Sequence, residues 1–278
     1  MKRQVIVNAD DFGFSPGASD GIVRAHREGV VTSTTCMTNA PDAERAVGLL
    51  ADLLRLGVGV HLNISQGPAL SPAGAALADD DGMMRHTATG LIIACALRPK
   101  LLNAVEDEFD AQIRWLIDRG IQPTHLDTHR HCHGYWPIFS RVVRLAKRYH
   151  IRFVRRHGEH LPGRGWPKAP SRQKRIAFAL NVLSPLQHLA GKDVLVTTGT
   201  WGVAHTGGID AAWLIRAAER LPGGVTEIMT HPGERRDDAD MDSRLAVGRP
   251  AELAALCDPA VKEAFRRNEI ELTHYGNL

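Results

Sequence analysis

Short runs of β-branched and apolar residues recur along the whole chain, and most of them are separated by segments whose apolar residues have helical spacing. Eight runs predict strands: VIVN at 5–8, TSTTCM at 32–37, VGVHLNI at 58–64, THLDT at 124–128, IRFV at 151–154, VLVTT at 194–198, TEIMTH at 226–231 and IELTHY at 270–275. Helices are predicted at 104–119, 136–149, 210–221 and 251–268.

This alternation of strands and helices predicts a parallel sheet with helical crossovers. About seven or eight strands without a dinucleotide-binding fingerprint favour an α/β fold of the distorted (β/α) barrel type over an open doubly wound sheet. We therefore expect one domain over residues 1–278. Two irregular regions, 65–100 and 156–175, are predicted to be loop insertions over the mouth of the barrel.

Polar residues follow four of the predicted strands. They are Asp10 with Asp11, His61, a series that begins at His125, and His231. In (β/α) barrels the functional residues lie at the carboxyl ends of the strands. We expect these four groups to lie close together.

The series beginning at His125 places acidic or metal-binding side chains at every second position: His125, Asp127, His129, His131 and His133. In an extended strand, alternate side chains project from the same face. We interpret the segment as a short strand that runs into a loop, with this face directed at water, a metal ion or a substrate.

Each group also has a structural interpretation. Asp10 and Asp11 repel each other, and either both lie in a solvated turn or one binds a cation while the other acts as a base. His61 lies in an apolar run, where a buried neutral histidine is the default. His231 belongs to MTHPG, which is also typical of a turn.

Taken together, these residues supply a site of two histidines and one carboxylate for a divalent metal ion, with positions left open for water and substrate. Such a site suits hydrolysis of an amide or ester, and it also suits a non-haem oxygenase. A second aspartate and a further histidine favour hydrolysis, which needs a base and an acid. A non-catalytic sugar- or metal-binding protein is the remaining alternative.

The composition is that of a globular protein, with 44% hydrophobic and 23% charged residues and a net charge of +3. This charge does not indicate a nucleic-acid partner. The four cysteines are far apart, so neither a disulfide framework nor a zinc knuckle is predicted. No apolar run resembles a signal peptide or a membrane span, and we expect a cytoplasmic protein without a membrane partner.

Residues 152–175 are strongly basic and contain one acidic residue, Glu159. The basic residues are Arg152, Arg155, Arg156, Arg164, Lys168, Arg172, Lys174 and Arg175. The segment is either a solvated loop face or a site that recognises a phosphate or other anion on a sugar.

The motifs NADDFG at 8–13, GVHLN at 59–63, THLDTHRH at 124–131 and HPG at 231–233 occur in this order. With them, GTWGVAHTGGID at 199–210 and GRPAELAALCDPAVKEAF at 248–265, the chain resembles the YdjC-like (ChbG-type) carbohydrate deacetylases over nearly its whole length. The resemblance implies a distorted (β/α) barrel similar to that of the NodB-type polysaccharide deacetylases. It also implies removal of acetyl groups from N-acetylated sugars, and a homodimer.

The resemblance further implies roles for single residues. Asp11, His61 and His125 would bind one divalent metal ion, Mg or Zn, with Mn or Co as alternatives. Asp10 would be the general base and His231 the general acid. The substrate pocket would be lined by His129, His131, Asp127, Arg130 and Trp201. Arg130 and Glu234 depart from the residues common in the family, and because both lie outside the implied metal set, they bear on the substrate and not on the reaction.

Overall fold

In a computed structural model of the chain, all strands run parallel in one curled sheet with helices on its outer face. The structure describes residues 2–84, 87–159, 166, 168–191, 193–194, 197–234 and 243–278. Its strands are β1 (Arg3–Phe12), β2 (Ser33–Cys36), β3 (Gly57–Leu62), β4 (His125–Thr128), β5 (Phe153–Val154), β6 (Thr200–Trp201), β7 (Gly224–Thr230) and β8 (Ile270–Thr273).

Helices connect the successive strands. They are α1 (Pro16–Glu28), α2 (Ala43–Leu49), α3 (Ala88–Leu97), α4 (Leu101–Ile117), α5 (Trp136–Arg148), α6 (Ser171–Gly191), α7 (Ala211–Arg220), α8 (Ser243–Leu256) and α9 (Pro259–Arg267). None of these described helices is both long and apolar enough to span a membrane.

The strands lie in the order β5-β4-β3-β2-β1-β7-β6, and β8 also pairs with β1. β2 pairs with the second half of β1, from Asn8 to Phe12, whereas β8 pairs with the first half, from Arg3 to Ile6. This parallel, curled sheet confirms the predicted distorted (β/α) barrel. β6 begins at Thr200, after the predicted strand at 194–198, of which residues 195 and 196 lie outside the described residues.

The ends of the sheet, β5 and β6, approach each other without a described β-pairing between them. Instead, the Thr200 hydroxyl donates a hydrogen bond to the Arg156 carbonyl over 2.7 Å. Gly199 packs so closely there that an added Cβ would lie 1.8 Å from the carbonyl oxygen of Gly158. The seam of the barrel therefore depends on a close approach of two backbone segments.

Alternation along the strands separates an apolar outer face from a polar interior. On β1, Val5, Val7 and Ala9 belong to the hydrophobic core under the helices, while Asn8 and Asp10 are buried polar residues on the opposite face. The same alternation turns these buried polar residues of the other strands inward: Thr35, His61, His125, Asp127, Thr200 and Glu227. Six strands thus place polar side chains in the interior of the barrel.

The first predicted insertion is partly helical. It contains a 3-10 helix, Ala73–Leu77, and α3. The buried Glu108 side chain of α4 anchors it by accepting hydrogen bonds from the backbone N–H groups of Leu70 and Ser71 at 3.0 and 2.8 Å. Of the second insertion, 160–165 and 167 lie outside the described residues, and its last residues begin α6.

The sequence pattern misplaced two helical regions. The prediction of one helix over 251–268 is wrong, because the chain forms α8 and α9 there, and the Asp258 side chain caps α9 by accepting from the N–H of Ala260. α6 was not predicted, since apolar residues are spread around it and give no single apolar face.

Replacing Gly199 by Ala is expected to destabilise the fold, because the new Cβ meets the Gly158 carbonyl and the backbone must move. We expect a loss of about 3 kcal/mol in the free energy of unfolding, measured by urea denaturation. Gly48 in α2 is the matched control, since a Cβ there meets nothing within 4 Å. Equal stabilities of the two variants would contradict the close packing at the seam.

Candidate active site

Two adjacent aspartates stand where β1 ends, and they point in different directions. Asp10 continues the strand, whereas Asp11 has a φ of 72°, in the left-handed region that residues with a Cβ rarely adopt. Such strain persists where the surrounding structure holds it, and it concentrates at functional sites. The twist gives each carboxylate its own set of partners.

Asp10 is held by a fully buried arginine. Arg155 donates from Nη1 to Asp10 Oδ2 at 2.7 Å and from Nη2 to Asp10 Oδ1 at 2.6 Å. The same guanidinium contacts Asp127 Oδ2 at 2.7 Å and Glu227 Oε1 at 2.7 Å. Asn8 Nδ2 also donates to Asp10 Oδ1, at 2.8 Å. One cation thus joins carboxylates from three strands.

The guanidinium decides the charge state of Asp10. Burial alone raises the pKa of this carboxyl, but Arg155 outweighs burial and holds the pKa of Asp10 well below its ordinary value. For Glu227 burial prevails, and its pKa is raised although Arg155 acts against the change. Glu227 also accepts hydrogen bonds from the Tyr275 hydroxyl at 2.7 Å and from Thr200 Oγ1 at 3.0 Å.

Asp127 orients His61. Its Oδ1 lies 2.7 Å from His61 Nδ1. Because a carboxylate can only accept, Nδ1 is the protonated donor of this hydrogen bond, and Nε2, on the opposite side of the ring, points away from Asp127. Burial lowers the pKa of His61, but Asp127 and the other nearby carboxylates raise it to about 9. A carboxylate behind a histidine is the usual support of a metal-binding imidazole.

A candidate metal centre lies on the far side of His61. The ligand atoms of Asp11, His61 and His129 lie within 4.8 Å of one another. Asp11 Oδ1 is 3.4 Å from His61 Nε2 and 3.3 Å from His129 Nδ1, and it is buried without a hydrogen-bond partner. The ligand atoms of Asp10, His61 and Asp127 also lie within 4.8 Å of one another, but Arg155 already contacts both of these carboxylates.

The donor set and its charge fit a divalent cation. The linked carboxylates are Asp10, Asp11, Asp127 and Glu227, and the linked guanidinium groups are those of Arg155 and Arg249. When the histidines are neutral, as imidazoles that bind a metal must be, and all four carboxylates are ionised, these groups of the described chain carry two uncompensated negative charges, which a divalent ion would balance. The buried, unpartnered Asp11 Oδ1 is where such an ion would find a ligand.

The histidine-rich segment does not continue as a strand. β4 ends at Thr128, and a 3-10 turn, His129–Gly134, follows in which Arg130 and His131 have φ angles of 55°. The predicted short strand that runs into a loop is confirmed, but the alternation that would place all five side chains on one face applies only within β4. The turn redirects His129 toward Asp11 and His61.

His125 lies deeper in the barrel. Its ring stacks on Tyr275 with centroids 4.1 Å apart, and its Nε2 has no hydrogen-bond partner among the described residues. Burial holds the pKa of His125 well below its ordinary value. The geometry brings His129, and not His125, to the candidate metal centre, so a ligand role for His125 stays a prediction without support from these distances.

The predicted pocket residues fall in different layers. His131 is half-buried, with its ring centroid 5.3 Å from that of His157, and Arg130 is exposed. Asp127 is fully buried behind His61. Trp201 is 5% exposed and packs with Trp166 in an aromatic cluster. Their roles in binding substrate stay predictions.

His231 follows β7 and is buried, with 7% of its surface exposed. Its N–H donates to Glu252 Oε2 at 2.7 Å, and its Nδ1 has no described hydrogen-bond partner. Burial raises the pKa of Asp10 and of Asp11, Arg155 and Arg249 respectively lower it, and the nearby His231 lowers it to a smaller extent. The predicted acid therefore lies in the electrostatic field of the same site.

The sequence pattern missed several residues of this site. Arg155 was grouped with a basic loop, yet it is fully buried, so neither a solvated face nor anion recognition describes it. The signal for it is the alternation of Phe153 and Arg155 at the end of β5. Glu227, inside an apolar strand, was a similar signal for a buried ion pair. Arg249 lies in the segment at 248–265 that carries part of the family resemblance, but nothing in that pattern assigned it to the site, which it reaches from α8.

Comparison with known proteins identifies the family. The model of the family described as YdjC-like protein matches residues 4–267. The chain belongs to the YdjC-like family. The resemblance seen in the motifs is thereby confirmed.

Relatives within the YdjC-like family are matched over their full lengths. The carbohydrate deacetylase of Brevibacillus brevis is 32% identical over 277 residues, which cover 99% of both chains. The carbohydrate deacetylase of Clostridium beijerinckii is 37% identical over 278 residues, covering 99% of this chain and 100% of that protein.

A solved structure shows the same fold as this YdjC-like chain. It is a crystal structure from Enterococcus faecalis V583, described as a cellobiose-phosphate cleavage protein, with a TM-score of 0.73 and 24% identity. The match covers 100% of this chain and 99% of that chain. It supports the curled parallel barrel described above.

Replacing Arg155 by Met is expected to lower the free energy of unfolding by about 3–5 kcal/mol, because it leaves buried carboxylates without their cation. In the wild type the lowered pKa of Asp10 gives a stabilisation that is present at neutral pH and lost as the pH falls. In the variant burial dominates, the pKa values of Asp10 and Glu227 rise, and the penalty grows as the pH rises through them. Urea denaturation at pH 5 and pH 8 checks this.

Arg266, which pairs with Glu263 on the surface, provides the control, and Arg266→Met is expected to leave the unfolding curve unchanged. A loss of stability in Arg155→Met that is equal at both pH values would contradict the electrostatic account.

Proposed function

We propose that the chain is a divalent-metal-dependent deacetylase that hydrolyses the acetamide group of N-acetylated sugars and releases acetate. The proposal rests on the cluster of Asp11, His61 and His129, in which the buried Asp11 Oδ1 has no hydrogen-bond partner. The full-length relatives named carbohydrate deacetylase support the substrate class. The relatives do not favour the oxygenase alternative.

The reaction adds water across the amide bond. The water oxygen bonds to the acyl carbon, the C–N bond breaks, one water proton is accepted by a base, and the leaving nitrogen receives a proton from an acid. The products are acetate and the free amino sugar. The site therefore needs a base, an acid and stabilisation of the acyl oxygen as it becomes negative.

Asp10 is the proposed base. Arg155 keeps its carboxylate ionised and fixed in position through two short hydrogen bonds, and Asn8 supports the same carboxylate. Fixed orientation is a large part of the efficiency of a catalytic group. His231 is the proposed acid, since its Nδ1 has no described partner and its backbone N–H is held by Glu252.

Asp11, His61 and His129 would hold the metal ion. When bound, the ion would polarise the acyl carbonyl and lower the pKa of water. Asp127 keeps the His61 ring in the orientation that exposes Nε2, and it in turn is held by Arg155 and Thr35. The same arginine thus orients the base and the support of a ligand.

The function is tested by measuring acetate release from N-acetylglucosamine oligosaccharides, with and without a phosphate group. The protein is stripped with a chelator and resupplied with single divalent metals, including Mg, Zn, Mn and Co. We expect release only with a metal present. Asp10→Asn is expected to bind the metal but to lose at least about 10²-fold in kcat, because the base is gone.

Two results would contradict the proposal. Metal-independent acetate release would remove the metal from the reaction, and full turnover by Asp10→Asn would remove Asp10 as the base. The absence of release from every sugar with every metal would move the chain to another amide or ester.

The third ligand can be identified by metal content. His129→Gln is expected to lose the ion on gel filtration, because it removes one of three clustered ligands. His125→Asn is expected to retain the ion, although loss of the stacking on Tyr275 lowers its stability. Mass spectrometry of the dialysed proteins gives the metal-to-protein ratio. Metal loss in His125→Asn with retention in His129→Gln would restore the ligand set implied by the sequence resemblance.

A further inference from the structure

Arg249 is a buried arginine that only partly uses its hydrogen-bonding capacity. It lies on α8 with 4% of its surface exposed, and its Nη2 donates to Asp11 Oδ2 over 2.5 Å. Its Nε and Nη1 atoms are buried and have no hydrogen-bond partner in the described part of the chain. A guanidinium carries five N–H donors, so much of its capacity is unused.

The surroundings fix this guanidinium beside the candidate centre. A Cβ added at Gly233 would lie 2.9 Å from Arg249 Cδ, so the backbone after His231 packs directly on the side chain. On another side the Phe14 ring centroid is 5.7 Å from Arg249 Cζ. Arg249 is therefore wedged between the segments that follow β1 and β7, close to Asp11 at the end of β1 and to His231 just after β7.

Buried donors without a partner are rare in folded proteins, and each costs about 1–3 kcal/mol. The cost is tolerated where a ligand supplies the missing acceptor. Because Arg249 adjoins Asp11 Oδ2 while Asp11 Oδ1 faces His61 and His129, the missing acceptor would lie next to the proposed metal centre.

We propose that Arg249 donates a hydrogen bond to the acyl oxygen of the substrate and, after cleavage, to the carboxylate of the released acid. This inference rests on the proposed function. It adds to the site a second positive group for the oxygen that becomes negative as water adds. Donors fixed in advance at the place where charge develops are among the strongest contributions to catalysis.

The charge of the site favours an acyl oxygen over a phosphate group at this place. Asp11 already bears a negative charge next to Arg249, and a phosphate dianion would be repelled by that carboxylate. An acyl oxygen is neutral in the substrate and gains its charge only during the reaction. An acyl oxygen and a phosphate oxygen can both accept hydrogen bonds from a guanidinium group, so the experiment must distinguish them.

The experiment compares wild type, Arg249→Ala, Arg249→Lys and the surface control Arg266→Ala, each loaded with the metal that supports acetate release. Four quantities are measured: kcat and KM, the metal-to-protein ratio, the binding of acetate and of inorganic phosphate by NMR line broadening, and recovery of Arg249→Ala activity by added guanidinium ion.

We expect Arg249→Ala to lose about 10²-fold in kcat, to keep its metal, and to bind acetate about tenfold more weakly. Guanidinium ion restores part of the activity, because it refills the cavity with the missing donors, and Arg249→Lys is impaired less than Arg249→Ala. Arg266→Ala matches the wild type in all four quantities.

Three outcomes would overturn the inference. Metal loss in proportion to activity would show that Arg249 acts only by positioning Asp11. Unchanged kcat would exclude a role in the reaction, and loss of phosphate binding with acetate binding intact would assign the donors to a phosphate group. If the wild type releases no acetate, the proposed function fails, and acetate binding to wild type and Arg249→Ala still decides whether Arg249 binds a carboxylate.

Discussion

The ion pairs between Arg155 and the carboxylates of Asp10, Asp127 and Glu227 determine how the interior of this barrel is built. A parallel barrel normally fills its centre with branched apolar side chains, whereas here the centre holds charges taken out of water. Removing one partner from such a group is far more costly than replacing the whole group. The four residues therefore form a unit, contributed by β1, β4, β7 and the end of β5.

This unit explains why Asp10 and Asp11 can stand side by side. Arg155 neutralises Asp10 from inside the barrel, and Arg249 approaches Asp11 from α8. The left-handed backbone at Asp11 separates the two carboxylates into these different environments. The two adjacent carboxylates would repel each other in isolation, but here they have different partners. Asp10 is fixed in position, as the proposed base requires, and Asp11 keeps one oxygen for the proposed metal ion.

The fold was predicted correctly from the sequence, and the same local patterns led to several residues of the candidate site. Strand alternation and polar residues at strand ends led directly to Asp10, Asp11, His61 and His231. The third ligand of the candidate metal centre was less predictable. The choice between His125 and His129 depends on where β4 ends and on the left-handed residues of the turn that follows. Arg155 and Arg249 were missed, since a buried cation is identified by partners that are distant in the chain, and the alternation at the end of β5 was the one local signal for Arg155.

Tyr275 links His125 to the buried ion pairs of the barrel. Its ring supports His125, and its hydroxyl donates to Glu227, which contacts Arg155. Tyr275, which also packs in an apolar cluster with Ile6 and Phe153, is thus connected to Arg155 through Glu227. Loss of the Tyr275 hydroxyl would consequently change the electrostatic environment of Asp10 through Glu227 and Arg155, although Tyr275 lies far from Asp10 in the sequence.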